Sequence, residues 1–297
     1  MAQMAQAQES VAVLGVGTIG HGMAASALRG GIPTIVWDRN PERARDLADR
    51  GAQVADSAVE AAARAGIVVT MVPDTGAVMS IATEQGMLEA LAPNAIWAQM
   101  STIGVGGIDR VAALVGSQRP DVTLLDAPVS GSKEPAEQGE LTIFASGPDH
   151  ARCRVTPLFD ALGQRTVWVG TLGAGSRTKL VNNTLLAFKA EGLASAVALA
   201  QRLGLDTVAV IDALSGGPLL SPWDNAKLQR MAKGEYSAQF ALALALKDVH
   251  LAIEAVDVNR FEAFGALAVE WQRVVDHGLG GDDVTVVARF LEDGERR

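Results

Sequence analysis

Cysteine is almost absent from this chain of 297 residues, where Cys153 stands alone. A lone cysteine cannot close an internal disulfide, so nothing marks an oxidising compartment and the cytoplasm is the expected location. The four histidines, His21, His150, His250 and His277, are scattered without metal-ligand spacing, and no metal is expected. No stretch reaches the roughly 20 apolar residues a membrane span needs. The opening MAQMAQAQE holds no Lys or Arg and no apolar run, so it is expected to be a frayed extension rather than a secretory signal or anchor. Cations are outnumbered, 25 against 34 acidic residues, giving a net charge of -9. That balance argues against a general nucleic-acid or anionic-membrane partner, while leaving room for a phosphate held by a few local groups.

Aromatics are also scarce, at 4% with one tyrosine, whereas apolar residues make up 48% and charged residues 20%. This is the composition of a folded globular chain rich in Ala, Val and Leu, suited to close-packed helices and buried parallel strands. Up to about residue 172, short β-rich runs alternate with Ala-rich amphipathic stretches. The runs are 11–14, 34–37, 67–72, 96–99, 123–125, 141–145 and 166–169, the rhythm of β-α-β units on a parallel sheet. Beyond Gly173-Ala174-Gly175 the strand signals stop. The next thirty or so residues lack proline and read as one long helix ending at Gly204. Helical patterns follow over 206–214, 223–232, 240–258, 262–277 and 282–291. The expected organisation is therefore α/β: a Rossmann-type dinucleotide-binding domain over 1–172 and an all-α domain over 173–297, joined by the long helix.

Val11-Ala-Val-Leu14 runs into Gly15-Val-Gly17-Thr18-Ile19-Gly20 and then into a helix-prone segment. A glycine fingerprint between strand and helix predicts a dinucleotide site. Gly15 makes the tight turn, Gly17 admits the pyrophosphate, Gly20 lets helix pack on strand, and the helix N-terminus faces the diphosphate. The next strand ends in Trp37-Asp38-Arg39-Asn40, where the group that reads the ribose belongs. Asp38 suits a 2′-hydroxyl and NAD, whereas Arg39 suits a 2′-phosphate and NADP. The expected cofactor is NAD(P), with no choice between the two.

Three further segments follow in order: Asp126-Ala-Pro-Val-Ser-Gly131, Gly173-Ala-Gly-Ser-Arg-Thr-Lys179-Leu-Val-Asn-Asn183, and Phe240 followed by Lys247-Asp248. With the glycine fingerprint they resemble the β-hydroxyacid dehydrogenase family, to which 3-hydroxyisobutyrate dehydrogenases, tartronate semialdehyde reductases and glyoxylate/succinic semialdehyde reductases belong. That family is related to 6-phosphogluconate dehydrogenase and the imine reductases. The resemblance spans Val11 to about Leu291.

The resemblance implies hydride exchange between NAD(P) and a small 3-hydroxy acid or its semialdehyde. It casts Lys179 as the catalytic lysine, with Asn183 four residues on and so on the same helical face. Asn182 points elsewhere. Ser130 and the Gly131 amide are implied to grip the substrate carboxylate, with Ser132 where many members carry a second glycine. Val72, Pro73 and Thr102, at strand ends, are implied at the cofactor. In the second domain the resemblance sets Phe240 as an apolar wall and Lys247 as a donor near the nicotinamide ribose. A small carboxylate is thus the expected partner, together with a second copy of the chain in a dimer or tetramer, because an Ala-rich helical domain leaves apolar faces to cover. Two alternatives remain: an imine reductase, against which Lys179 argues, and a noncatalytic cofactor-binding scaffold.

Overall fold

A computed structural model describes residues 9–293, apart from the side chains of Val258 and Asp293, so most of the expected frayed N-terminal extension lies outside the described residues. The chain forms two compact units that divide between Lys179 and Leu180.

The first unit is built on one sheet. Its strands are β1 (Val11–Leu14), β2 (Thr34–Trp37), β3 (Gln53–Val54), β4 (Ile67–Thr70), β5 (Ile96–Gln99), β6 (Thr123–Asp126), β7 (Val129–Ser130), β8 (Thr142–Ser146) and β9 (Arg165–Gly170). They lie in the order β3-β2-β1-β4-β5-β6-β8-β7, with β9 also on β8. Pairing is parallel from β3 to β6, turns antiparallel between β6 and β8 and between β8 and β7, and is parallel again between β8 and β9. β1 pairs with β2 on one side and with β4 on the other. Successive connections therefore leave β1 in opposite directions, which opens a crevice at its C-terminal end.

The helices of this unit are α1 (Thr18–Arg29), α2 (Arg45–Asp49), α3 (Ala58–Ala63), α4 (Thr75–Ala82), α5 (Met87–Ala90), α6 (Gly104–Gln118), α7 (Lys133–Gln138) and α8 (Arg152–Leu162). They cover both faces of the sheet, which is why the central strands read as continuous apolar runs. Val11, Val13, Ile67, Val69, Ile96 and Ala98 pack with α1, α7 and α8. Their neighbours Ala12, Leu14, Val68 and Trp97 pack with α3, α4, α5 and α6. The alternation is the two-residue period of the pleat, with both halves of it apolar.

The long helix α9 (Ala174–Arg202) carries the chain from the first unit into the second. Gly204, at φ +71°, takes the left-handed conformation that stops it. The second unit adds α10 (Thr207–Leu214), α11 (Pro222–Ala232), α12 (Leu242–Glu254), α13 (Glu262–Val274) and α14 (Val287–Asp293). Its core gathers Ala187, Ala190, Ala194 and Val197 from one face of α9 around Leu246, Val249 and the fully buried Trp271.

Three helices differ from their sequence reading. The helix expected over 240–258 begins at Leu242, because the Phe240 amide donates to the Asp283 carboxylate and Ala241 forms a bridge with Asp283. The helix expected over 262–277 ends at Val274 and passes into a wider turn over Val275–Leu279, where Gly278 sits at φ +82°. The last helix opens with a tight turn, Val284–Val286, capped by Asp283, before α14.

Candidate active site

The glycine loop joins β1 to α1 at the crevice. Gly15 has φ +94°, and a side chain there would collide with Met71 O and Val72. A Cβ on Gly20 would lie against Gly15 O, whereas one on Gly17 would meet nothing within 4 Å. The helix therefore closes tightly onto the strand while the middle of the loop stays open. No side chain caps the N-terminus of α1, and no acidic residue occupies its first turn. An open glycine turn leading into an uncapped helix with free N–H groups fits a diphosphate.

Asp38 at the end of β2 has a local role as well. Its Oδ2 accepts from Val16 N at 2.9 Å and its Oδ1 from Asn40 N at 2.8 Å, so the carboxylate ties the glycine loop to the turn after β2. Arg43 lies 3.8 Å from Oδ1, and Arg39 is exposed beside it.

The ends of β4 and β5 are fixed by a buried polar network. Ser101 Oγ accepts from Val72 N at 2.8 Å and donates to Thr70 O at 3.2 Å. Gln99 accepts from Ser101 N and donates to Ser101 O, while Trp97 Nε1 donates to Thr70 Oγ1. Val72, Pro73 and Thr102 are thereby presented by rigid strand ends, partly or fully exposed. The sequence reading passed over Thr70, Gln99 and Ser101. Polar residues closing otherwise apolar strands were the available signal.

Beyond β6 the chain runs Ala127, Pro128 and into the short β7, where Ser130 is half-buried. Gly131, at φ +143°, needs its missing side chain, since a Cβ would press on Leu141 and Pro135. Ser132 is the N-cap residue of α7, without a side-chain cap bond. Asp126, fully buried at the end of β6, receives the start of α9. Ser176 donates to it twice, from N to Oδ2 and from Oγ to Oδ1, both at 2.7 Å. Ser146 Oγ accepts from Gly175 N at 2.9 Å and donates to Asp126 O at 3.1 Å. Gly175 seats directly on the strand ends: a Cβ there would lie 2.4 Å from Phe144 O and 2.6 Å from Asp126 O. Burial pushes the Asp126 carboxyl up, and the bonds from Ser176 and Ser146 work against it.

One turn past Ser176 on α9 stands Lys179, 8% exposed. Three residues apart, the two share a helical face. A buried amine is the kind of group a general acid or base can be built from.

In the second unit Asn183 is buried, and its Nδ2 donates to Asp248 Oδ2. Asn182 Nδ2 donates to Asn183 Oδ1 at 2.9 Å. Lys247 pairs with Asp248 Oδ1 at 2.9 Å, balancing the buried carboxylate. Asp248 thus orients the Asn183 amide, a role the sequence showed only as adjacency to Lys247. Phe240 is held through its backbone by Asp283, which also takes an ion pair from Lys227 at 2.8 Å. Trp223 packs against the second unit's core, with the Lys189 and Lys227 ammonium groups over its ring.

Comparison with known proteins divides along the same lines. Residues 10–170 match the model of the NAD binding domain of 6-phosphogluconate dehydrogenase. Residues 173–291 match the NAD-binding model of NADP-dependent 3-hydroxyisobutyrate dehydrogenase. A 3-hydroxyisobutyrate dehydrogenase of Pseudomonas aeruginosa is 34% identical over 87% of this chain and 89% of its own length. Glyoxylate/succinic semialdehyde reductase 1 of Arabidopsis thaliana is 29% identical over 95% and 98%. The crystal structure of a 3-hydroxyisobutyrate dehydrogenase from Salmonella typhimurium superposes with a TM-score of 0.85 at 28% identity, covering 95% of this chain and 99% of that one.

Proposed function

Because the chain belongs to the β-hydroxyacid dehydrogenase family, and is an NAD(P)-dependent oxidoreductase acting on CH–OH groups, we propose that it interconverts a small 3-hydroxy acid and its semialdehyde. NAD(P) supplies the hydride acceptor or donor. In this proposal the open glycine loop at Gly15, Gly17, Thr18, Ile19 and Gly20 holds the diphosphate. Asp38 and Arg39 face the adenosine ribose, and Val72, Pro73 and Thr102 line the nicotinamide end. Phe240 and Lys247 complete the cofactor's surroundings. Ser130, the Gly131 amide and Ser132 bind the substrate carboxylate, donors of the kind an anion nest requires.

Lys179 moves the proton. When the alcohol carbon is oxidised, its hydroxyl must shed a proton, and the neutral amine of Lys179 takes it; in reduction the ammonium returns it to the developing alkoxide. Asn183, its amide fixed by Asp248, orients the amine or the substrate hydroxyl without adding charge. The observation that carries this reading is the enclosure of Lys179, 8% exposed, one turn from the buried Asp126–Ser176 anchor. We place the protein in the cytoplasm, assign 1–172 and 173–297 as its two functional domains, and propose that it acts as a dimer or tetramer.

The test is a nicotinamide absorbance screen with both cofactors over 3-hydroxyisobutyrate, 3-hydroxypropionate, glycerate, glyoxylate, succinic semialdehyde and one cyclic imine. Turnover of a hydroxy acid or aldehyde is expected. Lys179→Ala should then lower kcat by about 10²-fold or more with cofactor binding intact. Near-normal turnover in that variant defeats the mechanism, and exclusive turnover of the imine defeats the substrate class.

A further inference from the structure

The family reading uses the segment that begins at Asp126 for its serine and glycine, and leaves the aspartate itself without a task. Yet Asp126 is wholly buried at the end of β6, and both its oxygens accept. The donors are the backbone N–H of Ser176, in the first turn of α9, and the Ser176 hydroxyl, each at 2.7 Å. A third donor, Ser146 Oγ, reaches its backbone oxygen at 3.1 Å and Oδ2 at 3.3 Å. A carboxylate that only accepts is matched by such a set, so the ionised form is the one these partners hold.

We propose that Asp126 is a positioning residue that acts on Lys179 through the first turn of α9, anchoring that turn to the sheet and supplying the buried negative charge that favours the ammonium. The inference rests on the assignment of Lys179 as the proton-transfer group. Two physical effects converge here. The N-terminal end of a helix carries a partial positive charge, which opposes an ammonium close by; a carboxylate on the end N–H groups offsets it. The anchor is also stiff, because Gly175 lies against Phe144 O and Asp126 O with no room for a Cβ, and Gly175 N is bound to Ser146. Lys179, three residues beyond Ser176, inherits its height above β6 from that contact.

Other charged groups lie close to this turn. Arg177, on α9, is exposed and acts on Asp126 as a distant cation. Asp109 on α6 lies 3.8 Å from Arg177 and offsets it. Asp126 is a buried carboxylate tied to this first turn. The lean of its carboxyl towards the protonated form with burial, resisted chiefly by Ser176, makes the serine part of the same device.

The test reads the lysine itself. The full-length protein is reductively dimethylated with 13C-formaldehyde, and the Lys179 methyl signal, assigned by its loss in Lys179→Arg, is titrated by NMR. In Asp126→Asn, an isosteric change that keeps one acceptor for Ser176, the titration midpoint should fall by about one pH unit. Ser176→Ala keeps the carboxylate but removes the donor that sustains its charge, and should lower the midpoint in the same direction by less. If Asp126→Asn does not fold, the serine variant decides. Midpoints equal to the wild type in the folded variants overturn the proposal, as does a rise. No turnover is needed for this readout. Failure of the catalytic reading, seen as an active Lys179→Ala, is therefore a separate outcome.

Discussion

At the scale of single residues, the absence of a side chain matters as much as its presence. Gly175 is the sharpest case, since a methyl group there would overlap two backbone oxygens that cannot rotate away. Gly175→Ala must lift the start of α9 from the strand ends. We expect a fall in kcat of about 10-fold to 10²-fold, the scale of an ångström of misplacement, with cofactor affinity retained. Steady-state kinetics beside a cofactor titration check this, and unchanged kcat would show that the seat does not set the lysine. Arg39 poses the opposite question, because it is exposed and free to meet a 2′-phosphate while its neighbour Asp38 is committed to Val16 N and Asn40 N. Arg39→Ala should weaken use of NADP(H) and leave NAD(H) little changed. Equal losses in KM for both cofactors would remove the 2′-phosphate role.

Among the elements, the stretch from Tyr236 to Leu242 is held by the segment around Asp283 rather than by its own hydrogen bonds. Asp283 accepts from Gln239 N, Phe240 N and the Thr285 hydroxyl, and pairs with the buried Lys227. Burial alone would raise the Asp283 carboxyl, but the Lys227 ammonium and the two backbone donors hold it below the ordinary carboxylate range. With the folded value depressed, the stabilisation is complete above the value of a free aspartate. It is lost as pH falls through the folded one. Lys227→Met strands the charge and should cost about 3–5 kcal/mol at neutral pH. The penalty should shrink in acid, where Asp283 takes a proton, as followed by denaturant melts at several pH values. A pH-independent penalty would count against the pair. This arrangement also marks where pattern reading reached its limit. The apolar runs of β1, β2, β4 and β5, the strand–glycine–helix junction and the stop of α9 before Gly204 were legible because each rests on local periodicity or on one residue's backbone preference. β3 and β7, two residues each, are too short to show a period. The helix start at Leu242 depended on an aspartate some forty residues away, and Asp126 and Asp248 owe their roles to partners distant in sequence.

For the molecule as a whole, the second unit leaves a line of apolar side chains uncovered along α9 and at the residue just after it. Val181 is 72% exposed, Leu185 63%, Leu199 57% and Leu203 64%. Leu185 and Leu199 lie fourteen residues apart, two heptads, with Gly192 midway, so they follow one side of the helix. Such a strip is expected to lie against a second copy, and the double variant Leu199→Glu, Leu203→Glu should lower the mass seen by light scattering. A wild-type chain that already runs as a monomer would dispose of the idea. Asp126 and Ser146 hold one more consequence, because they are register partners where the sheet reverses from parallel to antiparallel, and they also seat α9. On the proposal that Ser130 and Ser132 meet the substrate carboxylate, replacing those two side chains should be tolerated while Asp126, Ser146, Pro128, Gly131 and the 175–176 step stay native. On that reading, the proposed recognition and the proposed proton transfer are redesigned separately, like a lock whose wards are recut without moving the bolt.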